Sequence, residues 1–408
     1  MTDRAESPTG AQVVTGSVPW ARIAFIVGTV GLYSLVWFKP GLMAPWGIRL
    51  HEAGWFVDLH SLLNASDSRA AGADIIQWYP DWWYRLHDLG LHAADARWLG
   101  LASGAMFLLA AFLMLRPRRI GEAVYCWLVV CSPPVLLGFN RANVDLPLVA
   151  ALALVGWLLS RERPLLRAFA PILIVFLAGL KFYPLAAGAA LPFARRSRRE
   201  SWLMIGGMAA LTLLLVWLLR EDLRRAARLV VIPYHYYIFG ARQIFPVDPP
   251  ARWTVVLPLC TAVAVILFWW RRTRPPPAGL EEPAVISFVL GASVLTGCFF
   301  AGLSYGYRLS VCVLMLPLLG ALRRGRGQGL ARTLSGLALA GLPILLWLDG
   351  VLCLLMNLRI LPLTMAVAVA GRQLVYGLAS WAWIGVVLGL VVMLARPVGQ
   401  KLAGRTAP

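Results

Sequence analysis

The sequence predicts an all-α, polytopic integral membrane protein: a bundle of about 10–12 transmembrane helices with a long first extracytoplasmic loop. Of its 408 residues, 60% are hydrophobic and only 14% are charged, where roughly a quarter of an ordinary globular chain is charged. The mean hydropathy is +0.72. Long apolar runs recur along the whole chain, and clusters of arginine separate them. This composition leaves no room for a large soluble catalytic domain, so any chemistry falls to loops and helix ends.

Residues 1–19 are polar and near neutral. They lack the basic start and short apolar core of a cleaved signal, so they read as a cytoplasmic tail ahead of a retained first span. Spans are expected near 20–38, 98–115, 123–139, 145–160, 201–219, 253–270, 284–303, 309–322, 333–349 and 374–395. The stretch 168–194 is interrupted by Lys181 and Pro184. As a helix it would reach about 40 Å, short of the roughly 60 Å that two crossings need. It is therefore expected to be a pair of short oblique helices or a re-entrant hairpin, with Lys181 at the tip. Pro275–Pro277 reads as a cytoplasmic linker, and no internal repeat of the kind that builds many transporters is visible.

The net charge of +19 reports membrane orientation here rather than a nucleic-acid partner. Counting 168–194 as an out-and-back pair puts Arg116/Arg118/Arg119, Arg161/Arg163/Arg167, Arg195/Arg196/Arg198/Arg199, Arg271/Arg272/Arg274 and Arg323/Arg324/Arg326/Arg332 on one side. Arg396, Lys401 and Arg405 join them, so that side is cytoplasmic and both termini face it. The chain divides into the tail 1–19, a transmembrane domain 20–395 and a basic cytoplasmic tail 396–408, in a bacterial plasma membrane. Loops 39–97, 140–144 and 220–252, the Lys181 tip, the link Ser304–Arg308 and Asp349 are expected outside. The first loop holds seven acids, Glu52, Asp58, Asp67, Asp74, Asp81, Asp88 and Asp95, against five basic residues, and all five histidines are external.

Four groups of residues have the means for chemistry. On a helix over 54–66, Trp55, Asp58, Leu59, Leu62 and Leu63 share a face. Asp58 on that apolar stripe is either a general base or an acid at the bilayer edge bonded to a neighbour. In Asn140-Arg141-Ala142-Asn143-Val144-Asp145, two amides, a guanidinium and a carboxylate suit sugar hydroxyls. Equally, Asn143 or Asp145 starts the next helix, and Arg141 pairs with Asp145. Lys181, in Lys181-Phe182-Tyr183-Pro184, either snorkels to the interface or presents an ammonium to a lipid phosphate. Arg308, after Ser304-Tyr305-Gly306-Tyr307, has the same placement. The aromatics of Pro233–Tyr237 suit an interfacial belt, and Arg220–Arg228 an interfacial helix. There is no phosphate-binding lysine loop, dinucleotide fingerprint, zinc-protease motif or nucleophile elbow. The six cysteines have no metal spacing, and His87 and His92 are not at a helical ligand spacing, so no metal and no cofactor are expected.

These motifs, in this order, resemble the family 87 glycosyltransferases, a domain also known as DUF2029. The resemblance rests on Asp58 early in the first loop, Gly72-Ala73-Asp74, Arg141-Ala142-Asn143-Val144-Asp145 and Lys181-Phe182-Tyr183-Pro184, and covers roughly residues 50–200. Beyond that, only Tyr307-Arg308 matches. Two positions depart: Ile75-Ile76 stands where the family often has Pro-Tyr, and Ala142 replaces the glycine of Arg-Gly-Asn. The resemblance implies a GT-C membrane enzyme, mannose being the sugar of its better-known members. Such an enzyme transfers a sugar from a polyprenyl phosphate to an extracytoplasmic glycan or glycolipid, with inversion. By that analogy Asp58 is the base, Lys181 and Arg308 bind the donor phosphate, and Asp74, Arg141, Asn143, Asp145, Tyr183 and Tyr307 bind substrate. A transporter or flippase of lipid-linked sugars would share the basic and aromatic residues but would not need Asp58.

Overall fold

The computed structural model describes residues 20–48, 55–73, 80–194, 197–228, 238–244, 251–276, 279–301, 304–326, 329–360 and 365–402. The expected tail 1–19 and positions 403–408 of the expected tail 396–408, and with them Glu52, Asp74, His51, His235 and Pro233–Tyr237, lie outside the described residues.

The architecture is all-α. Its helices are α1 (Trp20–Phe38), α2 (Val57–Ala70), α3 (Ala96–Met114), α4 (Ile120–Val130), α5 (Pro133–Asn140), α6 (Asp145–Leu159) and α7 (Pro164–Leu180). They continue as α8 (Arg198–Leu218), α9 (Arg220–Arg228), α10 (Ala251–Arg272), α11 (Glu282–Phe300), α12 (Leu316–Ala321), α13 (Leu330–Asn357) and α14 (Met365–Leu402). The only strands among the described residues are the two-residue pair β1 (Ile238–Phe239) and β2 (Ser304–Tyr305), joined antiparallel.

By length and apolarity six described helices are able to cross a bilayer, or eight when two bent pairs each count as one span. Two further apolar helices, Asp145–Leu159 and Pro164–Leu180, are shorter than these, and two of the expected runs bend. The run 123–139 breaks at Ser132-Pro133-Pro134, where α4 and α5 meet at 47°, because proline supplies no N–H and blocks the preceding turn. The run 309–322 starts as a 3-10 helix, Gly306–Leu314, that bends 55° into the helical segment Leu316–Arg324. The hairpin over 168–194 is present: α7 climbs to Leu180, Lys181 turns the chain, and a 3-10 helix over Tyr183–Phe193 descends. Its 11 residues extend about 22 Å at the 2.0 Å rise of a 3-10 helix, against about 16 Å as an α-helix.

Two boundaries move. Asp349, expected in an external link, is buried within α13, which runs on to Asn357. No polar turn or proline comes after it, so the apolar run simply continues as helix. Helix α14 likewise extends through Arg396 to Leu402, past the expected boundary at 395.

The core lies between α11, the 3-10 helices, α6 and α12, where Phe288, Leu290, Leu295, Val311, Leu314 and Leu318 are fully buried. In contrast α8 and α10 keep Leu213, Trp217, Leu257 and Phe268 about half exposed, the surface a lipid-facing helix presents. Ion pairs link the basic loops to one another. Arg324 bonds Glu122 at 2.9 Å, and Arg167 bonds Glu200 at 3.1 Å. Each contact joins two of the basic loops.

Candidate functional site

Helix α2 begins on a bulky residue in an unusual conformation. Phe56 has φ +66°, in the left-handed region, and its ring is fully buried against Gly100, Trp37 and Phe139. A left-handed turn at a non-glycine residue costs about 1–2 kcal/mol, and packing of the ring offsets it. Backbone bonds then anchor the first turn of the helix. Phe56 N–H donates to the Asn140 carbonyl at 2.8 Å, and Asp58 N–H donates to the Arg141 carbonyl at 3.2 Å. The start of α2 is thereby stitched to the α5–α6 turn, more than 80 residues along the chain.

That turn has a left-handed residue of its own, Ala142, at φ +48°. It reverses the chain so that Arg141 and Asn143 both reach Asp58. Arg141 Nη2 lies 2.6 Å from Asp58 Oδ1, and its Nε donates to both carboxylate oxygens at 2.9 and 3.0 Å. Asn143 Nδ2 donates to Oδ2 at 2.9 Å. The expected alternative, Arg141 paired with Asp145, is not what forms.

Asp145 instead faces the hairpin. It opens α6, with its N–H donating to Asn143 Oδ1 at 3.1 Å. Its Oδ1 accepts from Lys181 Nζ at 2.7 Å and from the Tyr183 hydroxyl at 2.6 Å. Lys181 also donates to Asn143 Oδ1 at 3.0 Å, so the Asn143 amide bridges the Asp58 carboxylate and the lysine. Arg308 completes the cluster. Its Nε is 3.6 Å from Asp145 Oδ2, close enough for ion pairing but too long for a hydrogen bond. Neither atom has a hydrogen-bond partner among the described residues. Arg308 Nη1 donates to Ser304 Oγ at 2.5 Å, and its guanidinium lies 4.9 Å over the Tyr183 ring. Tyr305 and Tyr307 stack at 5.3 Å, with Arg141 and Lys181 each 5.9 Å from one of them.

Eight of the nine sequence-predicted site residues therefore form one network: Asp58, Arg141, Asn143, Asp145, Lys181, Tyr183, Tyr307 and Arg308. Three cationic side chains meet two carboxylates, so the cluster carries an excess positive charge. The two acids are not equivalent. The Asp58 side chain keeps 19% exposure, whereas that of Asp145 has none. Asn143 is buried as well, with both ends of its amide engaged. In this arrangement Asn143 and Asp145 offer no surface to a sugar hydroxyl and instead hold Asp58 and Lys181 in place.

The first loop closes over the hairpin tip. Trp83 Nε1 donates to the Leu180 carbonyl at 3.0 Å. Trp82 lies so close to Gly179 that a Cβ there would fall 2.3 Å from its ring. Sequence reading missed these two tryptophans and Ser304, and the adjacent aromatics of Asp81–Arg85 were the only available signal. It also kept His87 and His92 apart for want of helical spacing. Short 3-10 turns, His87–Leu89 and Ala93–Asp95, bring both rings onto Asp67. The Asp67 carboxyl is held well below the usual carboxylate range, chiefly by the His87 hydrogen bond, then by the Ala93 N–H and His92.

No protein-family model, curated protein or solved structure matches this chain.

Proposed function

We propose that the protein is a membrane glycosyltransferase of the GT-C type, moving a sugar, mannose by preference, from a polyprenyl phosphate to an extracytoplasmic glycan or glycolipid. The observation that carries this reading is the meeting of one reachable carboxylate, Asp58, with an excess of cationic groups contributed by three other chain segments. A transferase of this kind needs a base for the acceptor hydroxyl and positive charge for the departing phosphate within one site.

Each step uses a group in its observed position. Asp58 takes the proton of the acceptor hydroxyl. The hydroxyl oxygen bonds to the anomeric carbon as the bond from that carbon to the phosphate oxygen breaks on the opposite face. The polyprenyl phosphate leaves with the electron pair, and Lys181 and Arg308 stabilise its growing charge. Arg141 and Asn143 fix the Asp58 carboxylate, while Asp145 and Tyr183 hold Lys181. Tyr305 and Tyr307 offer stacked rings beside the cations, a surface suited to a sugar face. Nothing in the scheme calls for a nucleotide site, consistent with the sequence, which has none.

The test is transfer from radiolabelled polyprenyl-phosphate mannose in membranes, comparing wild type with Asp58→Asn. The expected result is labelled product in wild type and a loss of about 100-fold or more in the variant. Equal product from both would remove Asp58 as the base. Lipid-linked sugar crossing the bilayer with no product formed would favour the transporter reading.

A further inference from the structure

The transfer chemistry uses the first turn of α2, and a second cluster of chemically capable groups closes its last turn. Asp67 Oδ1 lies 2.8 Å from His87 Nδ1 and 3.0 Å from His92 Nδ1, and the donor atoms of the three residues all fall within 4.8 Å of one another. Backbone bonds aim each of them inward. The Ala93 N–H donates to Asp67 Oδ2 at 2.9 Å, which leaves Oδ1 to the two rings. The His87 N–H donates to Ser66 Oγ at 2.9 Å, and the His92 N–H to Asp95 Oδ2 at 2.9 Å. The side chains of Asp67, His87 and His92 are 28%, 40% and 47% exposed, so water reaches the cluster.

We infer that Asp67, His87 and His92 bind a divalent transition-metal ion, with Zn²⁺ the best chemical fit. Two imidazoles and one carboxylate form the borderline nitrogen–oxygen donor set that zinc accepts, and the exposed side leaves a fourth position for water. With zinc bonds of about 2.0–2.1 Å, tetrahedral donors stand about 3.4 Å apart. The contacts of 2.8 and 3.0 Å are shorter than that spacing by about half an ångström. An entering ion displaces the proton that each Nδ1 shares with the carboxylate, and the groups part slightly around it. The N–H bonds from Ala93 and His92 supply the outer support that fixes ligand orientation in metal sites.

The ion would not touch the reacting atoms. Asp67 is nine positions along α2 from Asp58, about 13 Å of helix, and it faces the opposite way. Metal there fastens the turns carrying His87 and His92 to the helix that carries Asp58. The proposal is independent of the transferase reading.

It is tested on the full chain, purified in detergent with a histidine-free tag, stripped with chelator, equilibrated with equimolar Zn²⁺ and desalted. Wild type and His60→Gln should each retain close to one zinc per chain. Asp67→Ala and the double variant His87→Gln/His92→Gln should bind at least about ten-fold more weakly. Zinc should raise the unfolding midpoint of wild type and not of these variants. Should the double variant fail to fold, His92→Gln alone, monitored by the visible spectrum of bound Co²⁺, gives the same reading. Wild type that retains no more zinc than the double variant would overturn the proposal, leaving a metal-free clasp in which Asp67 accepts from two imidazoles. Equal loss of zinc in His60→Gln would also overturn it, as binding to scattered surface histidines.

Discussion

The two ends of the fourteen-residue helix α2 hold their carboxylates by opposite means. At one end Asp58 is bound by Arg141 and Asn143, more than 80 positions away, within a network that reaches a fully buried Asp145. At the other, Asp67 is bound by residues 20 to 26 positions away in exposed turns. The first end depends on the packed bundle and on a balance of buried charge. The second is a local closure of the first loop and can form once that loop folds back on α2. Charge balance in an apolar interior is expensive to disturb, whereas exposed hydrogen bonds cost little to lose. The contrast yields an ordered set of expectations.

The largest effect belongs to Asp145→Ala. It removes the buried carboxylate that pairs with Lys181 and faces Arg308, for about 3–5 kcal/mol of stability. Thermal unfolding in detergent measures this, and Lys181→Met added to the same chain should recover part of the loss. A small effect for Asp145→Ala would mean that water reaches the cluster and screens it.

Asp58→Asn should separate function from fold. Arg141, its main partner, is more than a third exposed and tolerates the loss, so stability should change by only about 1 kcal/mol while transfer collapses. A variant that unfolds as readily as Asp145→Ala would erase the distinction between a reachable and a buried acid.

Ala142→Gly should stabilise the protein by about 1 kcal/mol, because alanine at φ +48° carries a steric penalty that glycine does not. The hydrogen bonds on either side make no use of its side chain. A destabilised variant would show that loss of the methyl, which is buried, outweighs the relief.

The smallest effect concerns pH at the Asp67 end. A carboxyl depressed in the folded state contributes stability that is fully present above its unfolded pKa and is lost as pH falls through the folded value. The part of the wild-type advantage over Asp67→Asn that comes from this carboxyl should therefore be fully present above the ordinary carboxylate range. It should begin to shrink once pH falls below the ordinary carboxylate value of about 4. Paired unfolding curves across that range give the answer, and an advantage that grows on acidification would contradict the assigned hydrogen bonds.

Much of the candidate site was legible because its residues are costly where they stand. Lys181 in an apolar hairpin and Asp58 on an apolar stripe draw attention by energetics alone, since burying such groups requires partners. The partners themselves were not legible. Arg141 lies four positions from Asp145 and was as well placed in sequence to bond it, but the left-handed turn at Ala142 sends the two toward different helices. His87 and His92 do not share a helical face, and only successive 3-10 turns bring them together. Asp349 was expected outside, at the end of the run 333–349, yet the helix continues through it to Asn357.

Hydropathy along the chain by itself determined the class, the positions of most helices and the interruption at Lys181. Each of these depends on the solvent that a segment must satisfy, which is a property of its own composition. Tertiary structure alone decided which carboxylate stays reachable, which cation each acid holds, and which two histidines share an aspartate. Those choices depend on backbone reversals at single residues and on packing between segments far apart in sequence, and neither is written in any one stretch of the chain.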